Sequence, residues 1–509
     1  MVHCEGDVTV QIAFASYLQK YRIKTDALYL AIKDAIINGT LPLHTKLAST
    51  RLLAEQYGLS RGIVTQVYDM LLAEGYVTAR SGQGTFVAYR YEQPAEPPRP
   101  MHKAALSKWG ERVRQLRKNQ LGDGYHDHCL YPFHWGHTDM SEFPVKEWNR
   151  CMHASLRQMQ EDGDVSLRDP QGDPALREAI AAYLLRNRGF AAAPSQIVIV
   201  NGSTQAITLL AQLLVEPGMA AVSEEIGYAG VKQAVAAAGA RWLPAEIDGS
   251  GIIPGSWEAR LLFVTPTRQF PTGAVLNLER RQQLLQWAQE REAIIVEDEY
   301  DSEFRHKGKP LEPLKALDRR DRVVYIGSFS KAMPSYMRIG YAVLPKALAE
   351  PFCAAKELYE PRATGAVEQK ALAEFMKSGA YDRHLRRMKR IYGSRFELLR
   401  RLLPAELPDL FEWVESDTGL HIFGWWRDSE ERYERYAAIC RAEGVRWAVA
   451  RHGKGGTEGL VAGGAGNEDQ ANRQAAVRIG CYFHFIHMSL KRLEQGVAVM
   501  KAASETLNK

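Results

Sequence analysis

AIIVEDEYDSEFRHKGKPLEPLKALDRRDRVVYIGSFSKAMPSYMRIGYAV, residues 293–343, sets the fold class for most of this 509-residue chain. Two short apolar runs, at 293–300 and 322–328, each end in a polar cluster. Runs of this kind read as buried strands, and ligands gather at their carboxyl ends in α/β proteins. Working outward, comparable runs occur at 197–200, 220–223 and 261–266, with helical stretches between them. That alternation favours an α/β domain from about 130 onward. From about 350 the pattern changes to long helices and then a smaller mixed region, which predicts a small C-terminal α+β domain. No internal repeat is evident.

The strand ends carry the chemistry. Lys331 can form a Schiff base with an aldehyde, while Ser328, Ser330 and Arg338 can bind a phosphate. Asp298 is suited to face a pyridine nitrogen, because a carboxylate there favours the protonated ring. Tyr300 lies two residues on, a relation compatible with the same strand face, and can bond a ring hydroxyl; Glu297 and Glu299 then point the other way unless the strand has already ended. Gly202-Ser203-Thr204-Gln205 leads directly into a helix. Its free amides and hydroxyls can hold a phosphate, although the motif alone also fits an ordinary helix cap.

A different pattern occupies the first part of the chain, LASTRLLAEQYGLSRGIVTQVYDMLLAEGYVTARSGQGTFV at 47–87. The periodicity predicts a helix over 27–38 stopped by Gly39, and a second over 49–57 stopped by Gly58. Ser60 caps a third, with Ile63, Val64, Val67, Leu71 and Leu72 as its inward face. Strands are predicted at 76–79 and 85–87, with 81–84 as the hairpin turn. Helices followed by a two-stranded wing form a DNA-binding architecture, with the third helix in the major groove. Arg61, Thr65 and Gln66 lie on its outward, N-terminal side. Arg pairs with guanine edges and Gln with adenine, and both also hold phosphates. Arg51 and Arg80 are better placed for the DNA backbone.

These patterns divide the chain into an extension (1–23), a winged helix-turn-helix (24–90), a linker (91–129) and an α/β effector domain (130–509). The linker contains YEQPAEPPRP, whose prolines favour extended chain. Net charge is only +5, and residues 20–90 hold nine Lys or Arg against five Asp or Glu. That excess is compatible with phosphate contacts without establishing them. The six cysteines, at 4, 129, 151, 353, 440 and 481, form no CxxC pair or metal ladder. Free thiols, no metal site and a reducing cytoplasmic compartment are expected. No signal peptide or membrane-spanning run is visible, so no membrane partner is expected.

Residues 24–90 resemble the winged-helix domain of the GntR regulators. The shared features are LASTRLLAEQYGLSRGIV, LLAEGYV and SGQGTFV, with Leu43-His44-Thr45-Lys46 where relatives often carry Pro-Gly. The resemblance implies that Arg51, Ser60, Arg61 and the wing around Gly84 face DNA. Residues 130–509 resemble the fold-type I aminotransferases through GSTQA, EIGYAG, TPTRQFPTG, EDEYDSEF and SFSKAMPSYMRIGY. That resemblance implies pyridoxal 5'-phosphate (PLP) on Lys331, with Asp298 at the ring nitrogen and Tyr300 at the phenolic oxygen. Ser203, Thr204, Ser328 and Arg338 would surround the phosphate, and Tyr228 would meet the ring face or the substrate. AVRIGCYFHF resembles the segment whose arginine grips a substrate carboxylate, which makes Arg478 the carboxylate candidate.

Together the two halves resemble the MocR subgroup of GntR regulators. The subgroup implies a domain-swapped, head-to-tail homodimer, double-stranded operator DNA, and an effector that is an amino acid, an amine or PLP itself. A PLP-dependent transcription regulator is therefore the expected function. The alternative is a working aminotransferase with a fused regulatory domain, in which Lys331 would also carry protons.

Overall fold

Ser49 and Ser60 each turn an extended chain into a helix by accepting a backbone amide. Ser49 Oγ takes Leu52 N at 3.2 Å and Ser60 Oγ takes Ile63 N at 3.4 Å, which satisfies donors left open in a first helical turn. The computed structural model describes residues 12–90, 105–118, 129–134, 136–162, 169–306, 308, 311–417, 419–452 and 478–507. The chain falls into two units, Met1–Ala105 and Leu106–Lys509.

In the first unit, α1 is Phe14–Tyr21, α2 Lys24–Ile37, α3 Thr50–Tyr57 and α4 Arg61–Ala73, followed by β1 (Val77–Arg80) and β2 (Gly84–Val87). The helices meet in one apolar core that includes Leu28, Ile32, Leu53, Val64, Val67 and Leu71. Two features differ from the sequence reading. Part of the expected extension folds into the unit: Phe14 is buried in that core, and Tyr57 Oη accepts Ile12 N at 3.1 Å. The wing also gains a third segment, since His44 N bonds Val87 O and Leu47 N bonds Thr85 O, both at 2.9 Å. His44 sits at φ +69°, a left-handed conformation that costs a side-chain-bearing residue roughly 1–2 kcal/mol. The cross-strand bonds on either side of it hold it there.

The second unit is built on a seven-stranded sheet among the described residues. Its order is Ile197–Val200, Gly340–Val343, Val323–Ser328, Ile294–Glu299, Leu261–Val264, Ala220–Glu224, Arg241–Ala245. Gly340–Val343 runs antiparallel to both neighbours, and the other pairs are parallel. Ile197–Val200, Leu261–Val264 and Val323–Ser328 are apolar on both faces, as strands covered by helices require. A 27-residue helix, Ala380–Glu406, precedes a smaller, five-stranded sheet. That sheet recruits Tyr131–Phe133, parallel to Val445–His452, a long-range pairing with no local sequence signal. Within the expected linker, Lys108–Lys118 is helical. Its Arg112 donates to Ala237 O at 3.1 Å, at the carboxyl end of the helix Ala229–Ala238, where a cation is favoured. Cys129, Cys151, Cys353, Cys440 and Cys481 are free thiols. No helix among the described residues is long and apolar enough to cross a membrane.

Leu71 is fully buried between the helices of the first unit. Leu71→Ala should destabilise that unit by about 2–5 kcal/mol, the usual cost of a buried leucine cavity. Hydrogen exchange of α2 and α4 amides in the full chain measures it; unchanged protection would refute the packing.

Candidate functional site

The strand Ile294–Glu299 sends three carboxylates to two sides. Glu297 is fully buried and accepts Leu314 N at 2.6 Å and Lys315 N at 2.8 Å, the open amides of a short helix. Glu299 is 3% exposed; it accepts Arg188 Nη2 at 2.5 Å and the Thr267 hydroxyl. These two are satisfied by protein. Asp298 faces the opposite side, and its buried Oδ1 has no hydrogen-bond partner among the described residues. Burial, reinforced by the charges of Glu299 and Asp301, pushes its carboxyl up to about 7. A carboxylate left this way is matched to a cationic donor. Glu224 lines the same cavity; burial holds it at about 7, with Thr265 Oγ1 at 2.7 Å.

Lys331 stands on the loop after the neighbouring strand. Its Nζ donates to Gly136 O at 2.8 Å. The Thr138 hydroxyl holds the Ser330 carbonyl at 2.8 Å, and the His384 ring bonds Ala332 O at 2.7 Å, so the loop is fixed on both sides of the lysine. Burial lowers the Lys331 pKa, opposed by the charge of Asp301, which brings the amine closer to its neutral, nucleophilic form.

The expected phosphate ligands lie together at the start of the helix Ser203–Leu214. Its N-terminal residue Gly202 has no capping side chain and sits at φ +90°. A Cβ on Gly202 would lie 2.4 Å from Arg338 Nη2, so glycine is required for the guanidinium to reach this helix end. Arg338 also donates to Asn201 O at 3.2 Å. Ser328 Oγ is 3.0 Å from Ser330 Oγ. Thr204 Oγ1 is 2.8 Å from Tyr228 Oη, which joins the 40%-exposed Tyr228 to the same cluster. A helix amino end, an exposed arginine and hydroxyls suit a phosphate.

Sequence reasoning missed the part played by Arg268, noted only within TPTRQFPTG. It is 4% exposed and donates through Nη1 to Tyr300 Oη at 2.6 Å and to Asp301 at 2.9 Å. Its Nη2 reaches His421 O at 3.2 Å. Tyr300 also meets the edge of Phe270. His421 and His484 stand with ring centroids 5.2 Å apart, and burial holds both well below the usual histidine pKa. His484 reaches the Lys331 region: a Cβ on Gly136 would meet Lys331 Nζ at 2.9 Å and His484 Cε1 at 3.1 Å. Only the tertiary pairing of His421 with His484 across two strands reveals this group. Arg478 lines a cavity shared with Thr272, Gly273 and Ser416. It begins the strand Arg478–His484, six residues from His484 and about 20 Å away along extended chain. There it pairs with Glu412 at 3.0 Å and lies over the Trp425 ring.

In the first unit, Arg51, Arg61, Thr65, Gln66, Arg80 and Gly84 are exposed, and Arg61, Thr65 and Gln66 share the outward side of α4. Thr65 Oγ1 bonds Arg61 O at 3.0 Å, and the Ser60 hydroxyl caps α4. Arg80 lies over the Phe86 ring, and Gly84, at φ +115°, opens β2 opposite Arg80.

Comparison with known proteins matches both halves. Residues 138–447 match the family of class I and II aminotransferases, and residues 24–87 match the gntR family of bacterial regulatory proteins. The "Probable rhizopine catabolism regulatory protein MocR" of Rhizobium meliloti is 36% identical over 404 residues, 78% of this chain and 80% of that protein. The HTH-type transcriptional regulator TauR of Rhodobacter capsulatus is 32% identical over 403 residues, covering 77% and 80%. Among solved structures, the α-aminoadipate aminotransferase LysN of Thermus thermophilus superposes with TM-score 0.64 at 23% identity, over 79% of this chain and 98% of that one. That structure holds N-(5'-phosphopyridoxyl)-L-leucine. The likeness establishes a fold-type I architecture for the large unit.

The raised pKa of Asp298 gives a pH signature. A folded-state pKa above the unfolded value favours folding below about pH 4, and that contribution is lost as pH rises through about 7. In cofactor-free protein, Asp298→Asn should therefore gain stability relative to wild type as pH rises from 4 to 8. Parallel stability–pH curves for the two proteins would contradict the buried, unpartnered carboxylate.

Proposed function

From the premise that this chain belongs to the GntR-type transcription regulators with an aminotransferase-like, MocR-type domain, we propose that it controls transcription through PLP held on Lys331. The observation that carries the reading is the buried, unpartnered Asp298 Oδ1, in a unit that also presents Lys331 and the Gly202–Arg338 cradle. These residues fit the cofactor. Asp298 would hold the ring nitrogen, Tyr300 the phenolic oxygen, and Ser203, Thr204, Ser328 and Arg338 the phosphate, with Tyr228 beside the ring. When bound, the cofactor supplies an aldehyde that condenses with amines and a ring that withdraws electrons.

Lys331 would hold the cofactor's aldehyde, where an amine effector would compete with it. The Lys331 Nζ, when free, has an acceptor in Gly136 O at 2.8 Å. Arg268 orients Tyr300 through the 2.6 Å bond and pairs with Asp301 at 2.9 Å, opposing the burial that raises the Asp301 pKa. His421 and His484, held neutral by burial, offer hydrogen bonds without adding charge. Differential contacts of the two Lys331 states are what can bias a DNA-binding equilibrium. The effector is an amino acid, an amine or PLP itself, with Arg478 as the proposed contact for a carboxylate. Two half-sites on double-stranded operator DNA imply two copies of the winged helix, hence a homodimer. The lowered pKa of Lys331 also suits proton transfer, which supports catalytic turnover as a second reading. Steady transamination without sequence-selective DNA binding would decide for it.

Lys331→Ala should abolish covalent PLP attachment, because only the lysine amine can form the Schiff base. Borohydride reduction and peptide mass analysis should place the label on Lys331 in wild type; a label elsewhere refutes the assignment.

For DNA, Arg61→Ala should lower affinity for the selected operator by roughly 5- to 150-fold, about 1–3 kcal/mol, and affect random duplex much less. Equal losses on both duplexes would make Arg61 a phosphate contact.

A further inference from the structure

The helix Ala380–Glu406 presents a basic stripe that the site does not use and the fold uses only in part, through Arg387 and through Arg383, which donates to Ser378 O at 3.3 Å. Its inward side is apolar: Tyr381, Leu385, Met388, Tyr392, Phe396 and Leu399 are buried. On the opposite side, Arg383, Arg386, Arg387, Arg390 and Arg401 are exposed, at spacings of three, four and seven that align on one face. Arg383 to Arg390 cover about 10 Å of helix axis. Arg387 is paired with Glu142 at 2.6 Å. Arg383, Arg386 and Arg390 make no ion pair among the described residues. The nearby carboxylates are committed elsewhere, Asp382 towards Arg186 and Glu397 to Arg400.

Four arginines within eight residues, three without a counter-charge among the described residues, repel one another and raise the local positive potential. No side chain of the stripe is apolar, so it lacks the desolvated centre that a protein-binding face needs. Guanidinium forks on an uninterrupted helix face instead match a row of phosphates. We infer that this stripe is a second DNA contact: the large unit holds duplex phosphates through Arg383, Arg386 and Arg390, independently of the winged helix. The inference rests on the reading of the chain as a DNA-binding regulator. It adds sequence-independent affinity and makes the effector-sensing unit itself sensitive to the path of the duplex.

The test uses the full-length chain and a random-sequence 80-base-pair duplex, with affinity measured against salt concentration. The combined variant Arg383→Gln, Arg386→Gln, Arg390→Gln removes three contacts. The slope of log affinity against log salt should become shallower by about 2–3, at ~0.9 per phosphate. Affinity near 0.1 M salt should fall by about tenfold or more. A control carrying Arg260→Gln, Arg435→Gln and Arg441→Gln removes the same charge from other exposed positions and should keep the wild-type slope. Melting curves and PLP loading of all three proteins report folding. An unchanged slope in the stripe variant overturns the surface while leaving the DNA-binding reading intact, as does an equal loss in the control. A wild-type chain that binds no duplex overturns that reading and the surface with it.

Discussion

Glu299 accepts Arg188 at 2.5 Å where both side chains are almost wholly removed from water. Two residues earlier on the same strand face, Glu297 accepts the open amides of a short helix. A buried charge without such partners is very costly. These contacts therefore fix which way the strand Ile294–Glu299 faces, and strand alternation turns Asp298 to the other side. A one-residue slip would exchange the two sides, leaving Glu297 and Glu299 without their donors and Asp298 without its cavity. The position of the central strand, and of the Lys331 loop after its neighbour, follows from this arrangement.

The same logic separates two kinds of polar burial. Arg268 and Asp301 are enclosed with all their strong contacts inside the protein. Replacing one would leave the other charge without a partner, so the pair acts as one structural and positioning unit. Asp298, by contrast, keeps an oxygen that no described protein group satisfies. The Gly202–Arg338 approach is a similar opening, since it leaves a helix amino end and a guanidinium facing one space. Glu297, Glu299 and Asp301 bond to protein and build the walls, and the Asp298 oxygen is left open beside the cavity that Glu224 also lines.

In the DNA-reading unit the constraint is backbone rather than charge. His44 adopts a left-handed conformation while His44 and Leu47 supply bonds to the wing. The segment before α3 thus serves as a wing strand as well as a connection. Phe14 and Ile12 add a further layer behind α2, which lets this small unit bury more apolar surface than the 24–90 stretch provides alone.

The winged helix was legible because its signals are local: Ser60 as a cap, Gly58 as a stop, and apolar spacing along α4. The strand-end cluster of Asp298, Ser328, Lys331 and Arg338 was legible for a related reason. Buried parallel strands leave uninterrupted apolar runs, and polar residues at their ends stand out. The opposite orientations of Glu297 and Asp298 followed from strand alternation alone. The recruitment of Tyr131–Phe133 into the small sheet, the Arg268–Tyr300–Asp301–His421 network and the approach of His484 to Lys331 were not legible. Each depends on residues brought together across long stretches of chain, with no fixed spacing to mark them. Arg478 shows the limit most directly: its segment was recognisable, but pairing between strands placed the arginine against Glu412 and Trp425. Sequence by itself determined which elements form and which residue types end them. Tertiary structure decided which of those ends share a cavity, because burial and charge satisfaction act between elements rather than along them.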